Sequence, residues 1–216
     1  MTIGGFVKQS FIDWGGKTTA VVFTKGCNFP CGYCHNPSLV LPQLINKTPD
    51  IAVDNVFDYL KTRKNWIDGV VVTGGEPTIH SDLPDFLQKT KELGYLVKLD
   101  TNGTNPTMLE RLLQSKLIDY VAMDIKTVPV AKLYSEIIGI KNIQPIMENI
   151  LKSVRILKES KIDVEFRTTK IPGIHSDEII AGIKNFLENC KLFSINEYRD
   201  GETAELHLKN IYYEQL

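Results

Sequence analysis

The chain alternates short apolar segments with amphipathic segments, and this alternation restricts its fold more than any other feature of the sequence. The apolar segments are rich in β-branched and aromatic residues and have the length of strands. The predicted strands are Thr19–Lys25, Ile67–Thr73, Tyr95–Leu99, Tyr120–Met123, Ile162–Arg167 and Leu192–Tyr198. Strands that alternate with helices in this way form right-handed βαβ units around a parallel sheet.

Helical periodicity fills most of the intervals between these strands. Helices are predicted from Val53, around Leu83–Thr90, and over 106–115, 143–160 and 176–189. Short extended segments and turns are expected over 1–18, residues 129–140 are ambiguous, and the tail 206–216 is either extended or helical. About six βα units in 216 residues are too few for an eight-fold barrel, which typically needs ~250 residues. The sequence therefore predicts a single α/β domain over residues 1–216, built as an open, six-stranded partial barrel.

A cluster of polar or glycine residues follows each predicted strand directly. The clusters are the cysteine loop 27–37, Gly74-Gly75-Glu76-Pro77, Asp100-Thr101-Asn102-Gly103-Thr104, Asp124-Ile125-Lys126, the loop 167–173 and the loop 196–202. In parallel α/β folds, ligand sites lie at the carboxyl ends of the strands. We therefore expect these clusters to meet on one rim and to form one binding site.

Three cysteines in the first cluster have the spacing of a metal site. Cys27, Cys31 and Cys34 follow the pattern Cys-x3-Cys-x2-Cys, and the fourth cysteine, Cys190, lies far downstream. Thiolates select iron–sulfur clusters, zinc or Cu(I). A [4Fe–4S] cluster normally takes four thiolates, so three would leave one iron open, and an open position is typical of a catalytic site.

A zinc site completed by His35 is the alternative interpretation of this loop. Cys34 and His35 are adjacent in sequence, whereas paired zinc ligands are usually separated by two or more residues. Cys190 fits a small buried residue better than a fourth ligand. The spacing therefore favours an iron–sulfur cluster.

Composition limits the class of protein and the cellular compartment that the sequence fits. Hydrophobic residues make up 43% of the chain, charged residues 24%, and the net charge is −1, which is ordinary for a globular protein and indicates no nucleic-acid partner. No apolar run reaches the ~18 residues of a membrane-spanning helix, and the N-terminus lacks the pattern of a secretory signal. Clustered cysteines favour a metal site in a reducing cytoplasm.

The cysteine loop resembles the signature of radical S-adenosylmethionine (SAM) enzymes, Cys-x3-Cys-x-aromatic-Cys, with Tyr33 as the aromatic residue. The resemblance implies a partial (β/α)6 barrel and a [4Fe–4S] cluster held by the three cysteines, with SAM chelating the fourth iron. The segment Gly74, Gly75, Glu76, Pro77 resembles the GGEP motif of the same family. It is expected to contact the amino group of SAM, and Tyr33 is expected to lie at the cofactor.

Two further clusters resemble the glycyl-radical-enzyme activating enzymes of this superfamily. By that resemblance, Asp100, Thr101 and Asp124 would bind a monovalent cation beside SAM. Thr101, Asn102, Asp124 and Lys126 would contact the cofactor, and Arg167 would meet the methionyl carboxylate or the ribose. The alternative is that Asp100 and Asp124 cap loops, that Lys126 is solvated, and that Arg167 forms a surface salt bridge.

The segments 11–17 and 34–37 are similar to anaerobic ribonucleoside-triphosphate reductase activating proteins. Two differences stand against that similarity: Gly15 replaces a proline common in those relatives, and 196–199 reads Asn-Glu-Tyr-Arg where pyruvate formate-lyase activase has a Leu-Pro-Tyr-His type ending. The sequence also lacks the second cysteine cluster of some activases.

The resemblance implies a complete reaction. Flavodoxin or ferredoxin would reduce the cluster, SAM would be cleaved to methionine and a 5′-deoxyadenosyl radical, and the radical would take a hydrogen atom from a glycine of anaerobic ribonucleotide reductase. One alternative is an enzyme that acts on a small metabolite and resembles 7-carboxy-7-deazaguanine synthase. Another is a non-enzymatic iron–sulfur electron carrier, which would leave the GGEP segment without a role.

Overall fold

The computed structural model describes residues 1–207 and contains a seven-stranded sheet whose strand order follows the sequence. Its strands are β1 Ile3–Ser10, β2 Thr19–Thr24, β3 Gly69–Gly74, β4 Leu96–Thr101, β5 Tyr120–Asp124, β6 Asp163–Lys170 and β7 Phe193–Glu197. β1 runs antiparallel to β2, and every later pair is parallel. The sheet is open, with β1 and β7 as its edges.

Helices occupy the connections between the parallel strands. They are α1 Pro37–Val40, α2 Pro42–Ile45, α3 Val53–Lys61, α4 Leu83–Glu92, α5 Pro106–Gln114, α6 Ala131–Ile138, α7 Gln144–Glu159 and α8 Asp177–Phe186, with a 3₁₀ turn at Pro77–Ile79. Sequential order combined with right-handed crossovers places the helices on one face of the sheet. In the part of the chain that the structure describes, no helix is long and apolar enough to cross a bilayer.

The predicted fold class is confirmed. All six predicted strands are present as β2–β7, and they form the open parallel sheet expected of a partial barrel. The ambiguous stretch 129–140 contains α6, which ends at Gly139 with a φ of 75°, a left-handed conformation that glycine adopts easily. Of the tail left open between extended and helical, residues 206 and 207 are helical, and 208–216 lie outside the described residues.

The prediction of short extended segments and turns over 1–18 is confirmed in part: residues 11–16 form bends and turns, but Gly4 and Gly5 lie inside β1 and do not interrupt it. There they permit close packing against α1 and β2. A Cβ atom on Gly4 would lie 2.5 Å from Leu39 Cδ2, and one on Gly5 would lie 3.3 Å from Phe23 Cβ. Glycine in a strand often marks such a close approach.

The face of the sheet opposite the helices changes from apolar to charged along its strands. Near the amino ends it is apolar, and Trp14 packs there against Val21 and Val71. Side chains alternate between the two faces of a strand. On this same face, the residues near the carboxyl ends of β4, β5 and β6 are charged.

Candidate active site

One cavity of about 260 Å³ lies at the carboxyl ends of the parallel strands. It is lined by every predicted site residue except Pro77: Cys27, Cys31, Tyr33, Cys34, Gly74, Gly75, Glu76, Asp100, Thr101, Asn102, Asp124, Lys126 and Arg167. Pro77 instead begins the 3₁₀ turn after β3. The structure therefore brings the predicted residues together, and their roles toward ligands stay predictions.

The cysteine loop is held against the loop that follows β3. The N–H of Gly26 donates to the Leu39 carbonyl at 2.7 Å, and the N–H of Glu76 donates to the Gly26 carbonyl at 2.8 Å. A Cβ atom on Gly75 would lie 1.9 Å from the Gly26 oxygen. A side chain at Gly75 would therefore force the two loops apart.

Asn28 ties the same loop to the segment after β4. Its Nδ2 donates to Thr104 Oγ1 at 2.7 Å, and its Oδ1 accepts from Asn102 Nδ2 at 2.8 Å. The N–H of Thr104 in turn donates to Asn102 Oδ1 at 3.0 Å. Asn28 and Thr104 had not been identified from the sequence, where their only distinction was a place inside the two clusters.

The three thiols of the loop fit an iron–sulfur cluster in their chemistry. They are free, and the N–H groups of Phe29 and Asn36 donate to Cys27 Sγ and Cys34 Sγ, each at 3.4 Å. Burial raises the pKa of the Cys27 thiol to about 12 and also raises those of Cys31 and Cys34, whereas the N–H donors and Lys126 lower them. Metal binding needs thiolates, and the N–H donors and the Lys126 ammonium favour the thiolate form.

A single-ion site with His35 does not form. In residues 1–207, no three histidine, cysteine or acidic side chains meet closely enough to hold one metal ion. The Nε2 of His35 lies 2.7 Å from the Arg199 carbonyl oxygen, and its ring packs on Tyr198 at 5.1 Å between centroids. The arrangement suits a cluster in which each thiolate binds a different iron.

Glu76 connects the segment after β3 with the end of β4. Its carboxylate accepts from Thr78 Oγ1 at 2.6 Å, from Thr101 Oγ1 at 2.7 Å, and from the N–H groups of Asn102 and Thr78 at 2.6 and 3.1 Å. Burial raises the pKa of this carboxyl, while the four donors lower it. Because a carboxylate offers about four acceptor sites, Glu76 orders the cavity walls whether or not it also meets a ligand.

Charges of alternating sign continue from Asp100 through Arg167 and Asp124 to Lys126. Arg167 lies in register with Asp124 on the neighbouring strand, and its NH2 and NH1 atoms lie 3.0 Å from Asp124 Oδ1 and 3.3 Å from Asp100 Oδ2. Lys126 Nζ lies 3.0 Å from Asp124 Oδ2. Arg167 is a mostly buried partner of two carboxylates, so it does not form the surface salt bridge that was the alternative, and its contact with SAM stays a prediction.

The two aspartates differ in pKa. Burial raises the pKa of Asp124, but Lys126 and Arg167 outweigh it and lower the value to about 2. For Asp100 burial dominates over Arg167 and Lys98, and its pKa is raised. Asp100 Oδ1 is buried with no hydrogen-bond partner in the described part of the chain. The monovalent cation at Asp100, Thr101 and Asp124 stays a prediction, since Arg167 and Lys126 already supply positive charge there.

The backbone of Lys126 is held on both sides by buried side chains. Its N–H donates to the Tyr134 hydroxyl at 3.0 Å, and its carbonyl accepts from His175 Nε2 at 2.8 Å. His175 Nδ1 accepts from the Ile171 N–H at 3.0 Å, which makes Nε2 the protonated nitrogen. Neither Tyr134 nor His175 had been assigned to the site from the sequence.

Replacing His175 by alanine is expected to lower the free energy of unfolding by about 3 kcal/mol. The change leaves the Lys126 carbonyl and the Ile171 N–H without a partner in a buried position and opens a cavity. Urea denaturation measures the loss. His175→Gln keeps a donor toward Lys126 and should recover part of it, so equal losses in the two variants would contradict the bridging role.

Comparison with known proteins identifies the family. The model of the Radical SAM superfamily matches residues 21–185. A relative from Methanocaldococcus jannaschii, described as a glycyl-radical enzyme activating enzyme, is 34% identical over 97% of this chain and 85% of its own length. The pyruvate formate-lyase-activating enzyme of Staphylococcus aureus is 29% identical over 82% of this chain and 73% of its own length.

Solved structures share the fold. Streptococcus suis SuiB bound to S-adenosylmethionine has a TM-score of 0.62 and 21% identity, over 90% of this chain and 48% of that one. A radical SAM methyltransferase from Sphaerobacter thermophilus has a TM-score of 0.65 and 19% identity, over 88% and 57%. The chain thus spans about half the length of these structures. Because the family model covers most of the chain, including all three loop cysteines, this protein belongs to the radical SAM superfamily of enzymes, which use a [4Fe–4S] cluster and SAM.

Proposed function

We propose that this enzyme is a glycyl-radical-enzyme activating enzyme. The observation that carries the proposal is the single cavity in which three free thiols meet the GGEP segment and the charged groups after β4, β5 and β6. The relative with 34% identity over nearly the whole chain carries the same description, which supports this reaction over others in the superfamily.

Cys27, Cys31 and Cys34 would hold the cluster, and the remaining cavity groups would hold SAM. The bound cofactors supply reductive cleavage of the SAM sulfonium and a 5′-deoxyadenosyl radical, which removes a hydrogen atom from a glycine. Around them, Glu76 fixes the positions of the Thr101 and Asn102 backbone and side chains. Those groups then need little reorganisation when the polar parts of SAM bind.

Lys126 and Asp100 offer two further interactions for the cofactors. The Lys126 ammonium faces the thiols closely enough to lower their pKa values, so it would offset negative charge on a bound cluster. Asp100 lines the cavity, and its buried Oδ1 makes no hydrogen bond within the described residues but lies 3.7 Å from Lys98 Nζ. Its carboxylate would be an acceptor for a hydroxyl or ammonium group, or a ligand for the monovalent cation.

For the partner, we propose anaerobic ribonucleotide reductase, with flavodoxin or ferredoxin as the electron donor. The segments 11–17 and 34–37, which resemble the activating proteins of that reductase, support this choice. An electron carrier without enzymatic activity is excluded by the family. An enzyme of small metabolites, similar to 7-carboxy-7-deazaguanine synthase, remains the competing proposal.

The reconstituted, reduced protein is expected to generate a glycyl radical on anaerobic ribonucleotide reductase when SAM is present. Electron paramagnetic resonance detects that radical directly, and one equivalent of 5′-deoxyadenosine should accompany each radical. A reductase variant with alanine at the target glycine is the matched control. Consumption of SAM with a purine-derived metabolite, and no radical on any glycyl-radical enzyme, would favour the metabolite enzyme instead.

A further inference from the structure

A second cavity of about 690 Å³ adjoins the active site. Gly32 and Tyr33 of the cysteine loop form its inner boundary, and Tyr33 lines both cavities. We call it the side groove. Its other walls come from α6, the loop after β6 and the segment after β7, so a molecule in the side groove would reach the active-site entrance.

Aliphatic side chains form part of the walls of the side groove. The apolar lining consists of Leu133, Ile137, Ile171, Ile174 and Ile179, together with Pro172. Ile174 is 41% exposed. Burial of such surface by a ligand is favourable in proportion to its area, so the groove suits an aliphatic group.

The rim of the side groove carries negative charge. Glu136 on α6 and Asp200 after β7 line it, as does Glu205, and no lysine, arginine or histidine does among the described lining residues. Within residues 1–207, the side chains of Glu136 and Asp200 form no hydrogen bond or ion pair. A ligand with positive charges beside its apolar part would therefore complement this rim.

We propose that the side groove binds an extended segment of the partner polypeptide, in which an aliphatic side chain lies between lysine or arginine residues close to the reacting glycine. This inference rests on the proposed activating function. A polypeptide supplies both requirements at once: an aliphatic side chain for the walls and basic side chains for Glu136 and Asp200.

Three labelled peptides test the inference by fluorescence anisotropy with the reconstituted, anaerobic protein. Their sequences are Lys-Ile-Lys-Ala-Gly-Ala, Glu-Ile-Glu-Ala-Gly-Ala and Lys-Ala-Lys-Ala-Gly-Ala, all blocked at both ends. The first should bind at least about tenfold more tightly than the others, because the second repels the rim and the third lacks the aliphatic contact. Its affinity should fall as salt is added.

Variants of the groove locate the binding. Glu136→Gln combined with Asp200→Asn should weaken the first peptide about tenfold. Both positions are exposed, so the double variant should fold normally, which thermal unfolding checks. Glu159→Gln is the matched control. Glu159 is exposed and is the last residue of α7, and this end of the helix lies nearest the amino ends of the strands.

The test separates the side groove from the proposed function. SAM cleavage by the wild type without any peptide reports on the radical chemistry alone, whereas the peptide affinities report on the groove. Equal affinities for the basic and acidic peptides would overturn the inference even if SAM is cleaved. An equal loss of affinity for the first peptide in Glu159→Gln and in the double variant would also overturn the inference.

Discussion

Replacing Cys31 by alanine is expected to abolish binding of the [4Fe–4S] cluster and to reduce SAM cleavage by more than about 100-fold. Weakening only the groups that support metal ligands already costs 10–100-fold in typical sites, and this chain has three thiolates in the cavity, with none to spare. Cys31 is 6% exposed. Alanine differs from cysteine only by the sulfur atom, so the fold should survive the change. Iron and sulfide content and the yield of 5′-deoxyadenosine measure the effect.

Cys190→Ala is the matched control for this loss. Cys190 packs against the hydrophobic core after α8 and does not line the cavity. It should keep a full complement of iron and wild-type cleavage. A cluster that survives in Cys31→Ala, or one that is lost in Cys190→Ala, would show that the three-cysteine loop does not hold the cluster.

Arg167→Met is expected to lower the free energy of unfolding by about 3–5 kcal/mol. Arg167 is the guanidinium between Asp100 and Asp124, and removing it leaves two neighbouring carboxylates with only Lys98 and Lys126 to offset their charge. Methionine keeps most of the volume, so the loss would come from charge. Denaturation in urea at pH 7 measures the difference, and Arg155→Met, at an exposed position of α7, should change stability by less than about 0.5 kcal/mol.

The pH dependence of this loss separates charge from packing. Arg167 and Lys126 hold the pKa of Asp124 at about 2 against burial, which raises it, and without Arg167 the folded-state pKa values of Asp124 and Asp100 should rise. Protonation would then relieve the repulsion in the variant, so its deficit relative to the wild type should shrink as the pH falls below about 5. A deficit that stays constant with pH would indicate lost packing instead.

Local patterns were enough to predict most of the fold. β-Branched runs and helical periodicity depend on near neighbours, and they located β2–β7 and most of the helices between them. The antiparallel β1 was predicted only as short extended segments, because Gly4 and Gly5 have the composition of a turn. Their reason for being glycine lies in Leu39 and Phe23, which only the folded sheet brings close.

The sequence predicted which residues form the site better than it predicted the contacts between them. Each cluster follows a strand directly, so the rim could be inferred from strand ends alone. The contacts of Asn28 and His175 could not be inferred, because their partners Thr104 and Lys126 are 76 and 49 residues away in sequence. The ion pair of Arg167 with Asp124 could not be inferred for a similar reason, since it depends on the pairing of β5 with β6, which neither strand shows by itself.

The most direct test of the central claim is the amount of 5′-deoxyadenosine that the protein forms from SAM. The protein would be reconstituted with iron and sulfide without oxygen, reduced, and mixed with SAM. If the cavity at the carboxyl ends of β2–β6 is the site of a radical SAM enzyme, wild-type protein yields 5′-deoxyadenosine and Cys31→Ala yields none. An intact, reduced four-iron cluster that forms no 5′-deoxyadenosine would contradict it.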